Sequence, residues 1–234
     1  GKLEGYNRLR DNILYLNSDG KTKVIQIESS ISHEAKTTIS CNFAVTLGLA
    51  DKKVVVVDLD FRKPKVYSVF GISNENGIAE YIMGTSTKEG IIKHTNHKNV
   101  DVVTRGAKIY NSTVVLLSEK FQQLIRDLRK EYDYVILDCP PVLLVSDYIH
   151  ILKVSDGVLF LVAYGITTKN QVTDAINTLK NNNANILGTV FSMYDRKKGF
   201  GKSSSYYYKK GYYGYYYNRV SDEKEISDSN KKEE

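Results

Sequence analysis

Residues 24–64 read VIQIESSISHEAKTTISCNFAVTLGLADKKVVVVDLDFRKP and carry the strongest structural signal in the chain. The stretch begins with an apolar run at 24–27, which predicts a buried β-strand. A polar loop at 29–35 follows, and Lys36-Thr37-Thr38 then begins a predicted helix. A strand, a loop and a Lys-Thr pair at a helix start are the layout of a phosphate-binding P-loop.

The chemistry of this layout favours a bound phosphate. The start of a helix offers unpaired N–H groups and the positive end of the helix dipole, and the Lys36 ammonium adds a positive charge. The Thr37 hydroxyl is a suitable ligand for Mg²⁺. We expect the phosphates of ATP to bind at Ser32, His33, Glu34, Ala35, Lys36, Thr37 and Thr38.

The loop departs from the usual P-loop pattern at both glycines. Ser30 stands at the position of the first glycine, and Ala35 stands at that of the glycine before the lysine. An alanine held in a conformation that suits glycine costs about 1 kcal/mol or more. The sequence therefore leaves open whether the loop binds a nucleotide tightly or only weakly.

Acidic residues end two further predicted strands. The apolar run 54–57 leads into Asp58-Leu59-Asp60, and the run 134–137 leads into Asp138. Unbroken apolar runs are typical of strands that are buried on both faces of a parallel sheet. Because such sheets bind ligands at the carboxyl ends of their strands, we expect these carboxylates to lie beside the P-loop.

Predicted strands and helices alternate along the chain. The apolar periodicity predicts strands at 24–27, 54–58, 101–103, 134–138, 157–163 and 186–191, and helices at 3–16, 37–49, 78–83, 118–130 and 168–180, with a short helix from Ser146. This alternation indicates βαβ units with right-handed crossovers. The predicted fold class is α/β: a P-loop NTPase-like parallel sheet flanked by helices on both faces, with 186–191 as its last strand.

Composition limits the classes of function. Hydrophobic residues make up 41% and charged residues 26% of the 234 residues, which suits one globular domain. We place this domain at 1–196, with an N-terminal helix within 1–20. We expect no transmembrane helix and no signal peptide, and the two cysteines favour a reducing compartment. The net charge of +6 is modest, and we expect no nucleic-acid partner.

Residues 197–234 form a predicted flexible, basic tail. Eight of the 18 tyrosines lie within 206–217, and glycines interrupt any helical or strand period. We therefore expect a disordered, low-complexity segment rather than another element of the sheet. The clustered tyrosines are Tyr206, Tyr207, Tyr208, Tyr212, Tyr213, Tyr215, Tyr216 and Tyr217.

Taken in order, these motifs resemble those of the bacterial tyrosine kinases of the capsule and exopolysaccharide type, in their stand-alone cytoplasmic form. The resemblance covers nearly the whole chain. Lys36-Thr37 matches the Walker A motif of that family, Asp58, Asp60 and Arg62 match its Walker A′ motif, and Asp138 matches its Walker B aspartate. Arg62-Lys63-Pro64, Asp138-Cys139-Pro140-Pro141, Ser146-Asp147 and the tyrosine cluster are also similar to family sequences.

The resemblance implies a role for each of these residues. Lys36 would attract the β- and γ-phosphates of ATP, while Thr37, Asp60 and Asp138 would hold Mg²⁺. Asp58 would accept the proton of an incoming tyrosine, and Arg62 would belong to the same catalytic group. The clustered tail tyrosines would be the phosphoacceptors.

The resemblance also implies partners and a location. A ring of identical subunits would present each tail to the next active site, and phosphorylation would loosen the ring. The cytoplasmic tail of a transmembrane polysaccharide co-polymerase would activate the kinase at the inner face of the membrane, and a cognate tyrosine phosphatase would reverse the reaction. The helix within 1–20 is the candidate oligomerisation element, although Asn7 replaces the middle arginine of the motif Glu-x-x-Arg-x-x-Arg.

Two other interpretations remain open at this stage. A degenerate relative that binds nucleotide weakly would serve the same polysaccharide machinery as a regulatory scaffold. An ATPase of the partitioning or cell-division-site type shares the fold, but that class carries a signature lysine where this chain has Ile31. The retained lysine and carboxylates favour an active tyrosine autokinase that regulates capsule or exopolysaccharide synthesis and export.

Overall fold

The computed structural model describes residues 2–32, 35–164, 166–193 and 215–216. Within them lie the strands β1 (Val24–Ser29), β2 (Val54–Asp58), β3 (Ile92–His94), β4 (Val100–Val103), β5 (Tyr134–Asp138), β6 (Gly157–Tyr164), β7 (Ile186–Met193) and β8 (Tyr215–Tyr216). They form one sheet in the order β3-β4-β2-β5-β1-β6-β7-β8. The sheet is mostly parallel, as predicted.

Helices cover both faces of this sheet. They are α1 (Lys2–Leu16), α2 (Ala35–Leu49), α3 (Val66–Phe70), α4 (Ile78–Met83), α5 (Lys88–Ile91), α6 (Ser112–Leu117), α7 (Glu119–Glu131), α8 (Asp147–Leu152) and α9 (Lys169–Asn181). Apolar side chains of α1 and α2 pack on one face, and those of α7 and α9 pack on the other. The arrangement confirms the predicted α/β fold with a P-loop NTPase-like topology.

The central strands are buried because of their composition. Every residue of β1, β2 and β5 is buried, which agrees with the unbroken apolar runs of β2 and β5, whereas β1 also buries Gln26 and Glu28. The helix predicted at 3–16 is also confirmed, since Tyr6, Leu9 and Ile13 of α1 are buried and α1 packs against α2. Within the described residues, none of the helices combines the length and the apolar composition required to cross a membrane.

Both edges of the sheet carry an antiparallel pair that the sequence did not predict. β3 was not predicted, and it pairs antiparallel with β4. The loop 95–99 between them is too short for the crossover that a parallel pair requires, so the chain forms a hairpin instead. At the other edge, β8 pairs antiparallel with β7, so 186–191 is not the last strand. The rest of the predicted flexible tail lies outside the described residues.

A close contact joins α2 to the β3–β4 hairpin. Gly48 lies in the last turn of α2, where a Cβ atom would sit 2.3 Å from the Lys98 carbonyl oxygen and 2.9 Å from Val100 Cγ2. The side chain of Asn99 donates a hydrogen bond to the Gly48 carbonyl at 3.0 Å. This approach fixes the hairpin against the end of α2.

We predict that Gly48→Ala destabilises the protein by about 1–3 kcal/mol, because the methyl group would overlap backbone that cannot move freely. Helix propensity alone predicts the opposite, a gain of about 1 kcal/mol. Urea unfolding measures the difference. Gly188→Ala in β7 is the matched control, since a Cβ there meets nothing within 4 Å. A Gly48→Ala variant as stable as the parent protein would contradict the contact.

Candidate phosphate and magnesium site

Asp138, the last residue of β5, is the centre of the predicted site. Its carboxylate is fully buried and receives the Lys36 ammonium on Oδ1 at 2.7 Å and the Thr37 hydroxyl on Oδ2 at 2.8 Å. Ser40 Oγ lies 3.5 Å from Oδ1 and donates to the Lys36 carbonyl at 2.9 Å. The first turns of α2 thus surround one carboxylate with a cation and two hydroxyls.

The fold brings these groups together from distant parts of the sequence. β5 lies between β1 and β2, so Asp138 emerges at the middle of the sheet's carboxyl edge. The chain leaves β1 at Ser29 and returns at Ala35 as α2, which places the first turn of that helix over the end of β5. The prediction that Lys36, Thr37 and Asp138 share one site agrees with this geometry.

The ion pair keeps Lys36 charged. The Lys36 and Asp138 side chains are 4% and 0% exposed. Burial by itself would lower the pKa of Lys36, but the adjacent charge and hydrogen bond of Asp138 raise it above its ordinary value. Lys36 therefore remains an ammonium at neutral pH, with Asp138 as its partner.

Asp58 lies beside Asp138 but contacts different groups. The two residues are register partners on β2 and β5. The Asp58 carboxylate accepts backbone N–H groups from Asp60 at 3.1 Å, Lys65 at 3.0 Å and Val66 at 3.1 Å, and it is fully buried. Burial and the charge of Asp138 raise its pKa. In this arrangement Asp58 holds the start of α3 in place.

Asp60 and Arg62 are the more accessible members of the predicted group. Asp60 is half-buried and accepts the Lys63 N–H at 3.2 Å. Burial raises the pKa of Asp60, and the charge of Lys36 opposes that rise. Arg62 is exposed to solvent. Asp60 lies close enough to Lys36 for the two charges to affect each other.

The rest of the predicted nucleotide loop is described only in part. Ser32 is exposed, whereas Ala35 and Thr38 are half-buried. His33 and Glu34 lie outside the described residues, as do the predicted phosphoacceptors other than the backbone of Tyr215 and Tyr216. Their assignments remain predictions.

Sequence reasoning missed Glu28, a fully buried acid in β1. Gln26 Nε2 donates to Glu28 Oε1 at 2.8 Å, whereas Oε2 has no hydrogen-bond partner among the described residues. Ile27 is the register partner of Asp138, so Glu28 points to the opposite face of the sheet. Burial raises the pKa of Glu28 to about 8. A glutamate within an otherwise apolar strand pattern was the signal that could have identified it.

The donor set fits a magnesium–phosphate complex. Mg²⁺ prefers oxygen ligands and is usually held by one or two carboxylates together with substrate phosphates. Thr37 Oγ1 and the Asp138 carboxylate provide such oxygens, and Lys36 with the first turn of α2 provides the phosphate contacts. In the described part of the chain, no group of three or more His, Cys, Asp or Glu residues could hold a metal ion.

We predict that Lys36→Met lowers the free energy of unfolding by about 3 kcal/mol, because it leaves the Asp138 carboxylate buried without its cation. The double variant Lys36→Met/Asp138→Asn should lose less than the sum of the two single changes, with a coupling energy above about 1 kcal/mol. A double-mutant cycle in urea measures this coupling. Additive losses would show that the two side chains do not interact in solution.

We also predict that Glu28 makes stability fall as pH rises. Its folded-state pKa of about 8 lies above the ordinary 4.5, so between these values the folded state holds a proton that the unfolded state has released. This effect is worth on the order of 3 kcal/mol between about pH 5 and pH 8. Glu28→Gln should reduce that slope in urea unfolding and leave the part that Asp58 contributes, whereas the exposed Glu75→Gln should not change it. An unchanged slope in Glu28→Gln would rule out a protonated Glu28.

A family profile described as the AAA domain matches residues 22–204 of the chain. The tyrosine-protein kinase YwqD of Bacillus subtilis (strain 168) is 32% identical over 211 residues, which cover 90% of this chain and 86% of YwqD. Matches of this extent identify the family independently of the short sequence motifs.

Solved structures agree with the sequence matches. The kinase domain of the Escherichia coli tyrosine kinase ETK superposes with a TM-score of 0.79 and 27% identity, covering 90% of this chain and 80% of that one. The septum site-determining protein MinD of Pyrococcus horikoshii OT3, solved with Mg-ADP, has a TM-score of 0.64 and 25% identity, covering 76% and 72%. The chain belongs to the AAA-domain family and, within it, to the bacterial tyrosine-protein kinases.

Proposed function

We propose that this protein is an ATP- and Mg²⁺-dependent protein-tyrosine kinase that phosphorylates the tyrosine cluster of its own C-terminal tail. The observation that carries the proposal is the convergence of Lys36, Thr37 and Asp138 in one buried cluster. Relatives that match most of this chain are named tyrosine-protein kinases, which supports the same activity here.

Nucleotide binding would require an exchange of partners within this cluster. Lys36 is held by Asp138 at 2.7 Å, so it would leave that carboxylate to contact the β- and γ-phosphates. Asp138 and Thr37, with Asp60 nearby, would then be free to hold the metal. ATP supplies the phosphoryl group and Mg²⁺ neutralises its charge, so the protein contributes mainly position and electrostatic stabilisation.

The proton of the acceptor tyrosine needs a carboxylate close to the transferred group. A phenol has a pKa of about 10, so a neighbouring base assists its attack. We retain Asp58 as the candidate base, since its raised pKa suits proton transfer. Its three backbone hydrogen bonds mean that the start of α3 must move before a tyrosine can reach it. Asp60, which is half-buried, would stay beside the metal, and the exposed Arg62 would contact the incoming tail.

We further propose that the kinase acts within an assembly at the inner face of the membrane. The family resemblance implies a ring of subunits that exchange tails, activation by the cytoplasmic tail of a transmembrane co-polymerase, and a cognate phosphatase. Phosphorylation adds roughly two negative charges per tyrosine to a basic tail, which gives a physical cause for release of the ring. In this setting the kinase would regulate capsule or exopolysaccharide synthesis and export.

A weakly binding regulatory scaffold is the second candidate function. Ala35 replaces the glycine before Lys36, and the Lys36 ammonium already has a buried partner. Both features oppose nucleotide binding. A partitioning-type ATPase is less well supported, because Ile31 replaces the signature lysine and the likeness to MinD, at a TM-score of 0.64, is lower than that to the ETK kinase domain.

We predict that the purified protein gains phosphotyrosine within residues 206–217 when it is incubated with ATP, Mg²⁺ and an activator tail. Lys36→Met should abolish the label, because the phosphates lose their cation, whereas the exposed Lys169→Met should label normally. Truncation after Asp195 should remove the acceptors but keep nucleotide binding. Mass spectrometry locates the label, and unfolding curves confirm that each variant is folded.

Two results would contradict the kinase proposal. Absence of label in the folded parent protein, with the activator tail present, would favour the scaffold. Normal label in folded Lys36→Met would show that the P-loop assignment is wrong.

A further inference from the structure

A second cleft lies at the edge of the sheet opposite the phosphate site. Its volume is about 460 Å³, and the residues that define it here are Lys53, His94, His97, Lys98, Asp101 and Tyr132. Lys53 precedes β2, and Asp101 lies near the start of β4. Because β2 ends at Asp58, this distal cleft lies roughly 16 Å from the phosphate site along the strand.

Hydrogen bonds organise the floor of the distal cleft. Asp101 Oδ1 lies 2.6 Å from His94 Nδ1, and the Tyr132 hydroxyl donates to Asp101 Oδ2 at 2.6 Å. Both oxygens of this carboxylate are therefore engaged by the protein. Burial and the hydrogen bond to Asp101 raise the pKa of Tyr132, so its hydroxyl stays protonated. The carboxylate that lines the cleft, Asp101, is thus directed toward His94 and Tyr132.

Two lysines, Lys53 and Lys98, line the cleft beside this floor. Lys53 is exposed, its Nζ lies 6.0 Å from the centroid of the Tyr132 ring, and no carboxylate of the described residues lies within ion-pair distance of it. Lys98 is exposed and pairs with Asp51 at 2.7 Å outside the cleft. His97 stacks edge-on against Phe70, with ring centroids 5.8 Å apart. Lys53 is the cation best placed to meet an anionic ligand.

The hairpin loop that frames the cleft is held in a defined conformation. The Thr95 hydroxyl donates to the Val100 carbonyl at 2.8 Å and accepts the His97 N–H at 3.1 Å. Asn99 adopts a φ of 63° and is tied to α2 through the Gly48 carbonyl. The volume of the cleft falls within the range of small-ligand sites, and its lining is more polar than that of most such sites.

We propose that the distal cleft binds a phosphate monoester dianion, with Lys53 as its principal cation. The ester can come from a phosphorylated small molecule or from a phosphotyrosine side chain. The site is separate from the kinase centre and does not depend on the proposed activity.

The test is a ¹⁵N–¹H NMR titration of the full chain with phenyl phosphate. We expect saturable shifts of the Thr95, Asn96 and Lys98 amides, and Lys53→Gln should weaken this binding by about tenfold, as for one charge-assisted hydrogen bond. Lys108→Gln is the matched control, because its ammonium also lies over a tyrosine ring, at 5.1 Å from the Tyr110 centroid, outside the cleft. Lys36→Met should change only shifts near the P-loop.

Two further ligands separate the possible sources. Inorganic phosphate tests the dianion alone, and a synthetic peptide of residues 204–218 phosphorylated at Tyr212 tests the tail. If both phenyl phosphate and the peptide give saturable shifts at the cleft, the ligand is a phosphotyrosine side chain. If phenyl phosphate or inorganic phosphate gives such shifts and the peptide does not, the ligand is a small-molecule phosphate. Shifts that do not saturate, or equal weakening by Lys53→Gln and Lys108→Gln, would overturn the proposal. Because the P-loop shifts are read separately, loss of kinase activity cannot be confused with loss of this site.

Discussion

The structure depends on one constraint: the Asp138 carboxylate is fully buried and must have partners. A buried charge without a cation and hydrogen bonds is strongly destabilising. The first turn of α2 supplies both through Lys36 and Thr37, so the same contacts that stabilise the sheet also place the helix N-terminus at its carboxyl edge. The contacts that satisfy the buried Asp138 carboxylate therefore also bring together the residues of the proposed phosphate site.

Because of that constraint, the site has two alternative arrangements, one with the ion pair and one with the proposed nucleotide. In the described arrangement Lys36 satisfies Asp138, whereas under the proposed function a bound nucleotide would need Lys36 for its phosphates and Asp138 for its metal. The nucleotide would then replace the ion pair rather than add to it. The loss of the P-loop glycine at Ala35 acts on the same balance, since a stiffer loop raises the free-energy cost of the exchange.

Strand direction explains why two different clefts occur on one sheet. Parallel strands bring Asp58 and Asp138 to the carboxyl edge, where α2 covers them. β3 runs the other way, so its last residue, His94, reaches the amino edge beside Asp101. The β3–β4 hairpin therefore places the His94 ring at the amino edge of the sheet. In a purely parallel sheet, a strand would begin at that position. The carboxyl edge and the amino edge of the sheet consequently carry different sets of polar side chains.

The sequence by itself determined the central elements, because unbroken apolar runs and helical spacing are local signals. It also identified Lys36, Thr37, Asp58 and Asp138 as neighbours, since parallel strands end at a common edge. Only the tertiary structure decided what each carboxylate contacts: Asp138 meets a lysine 102 residues away, Asp58 caps α3, and Glu28 is buried on the other face. The antiparallel edges and the distal cleft likewise depend on packing between distant segments, and burial, which sets both the pKa values and the cost of an unpaired charge, is a property of the folded chain alone.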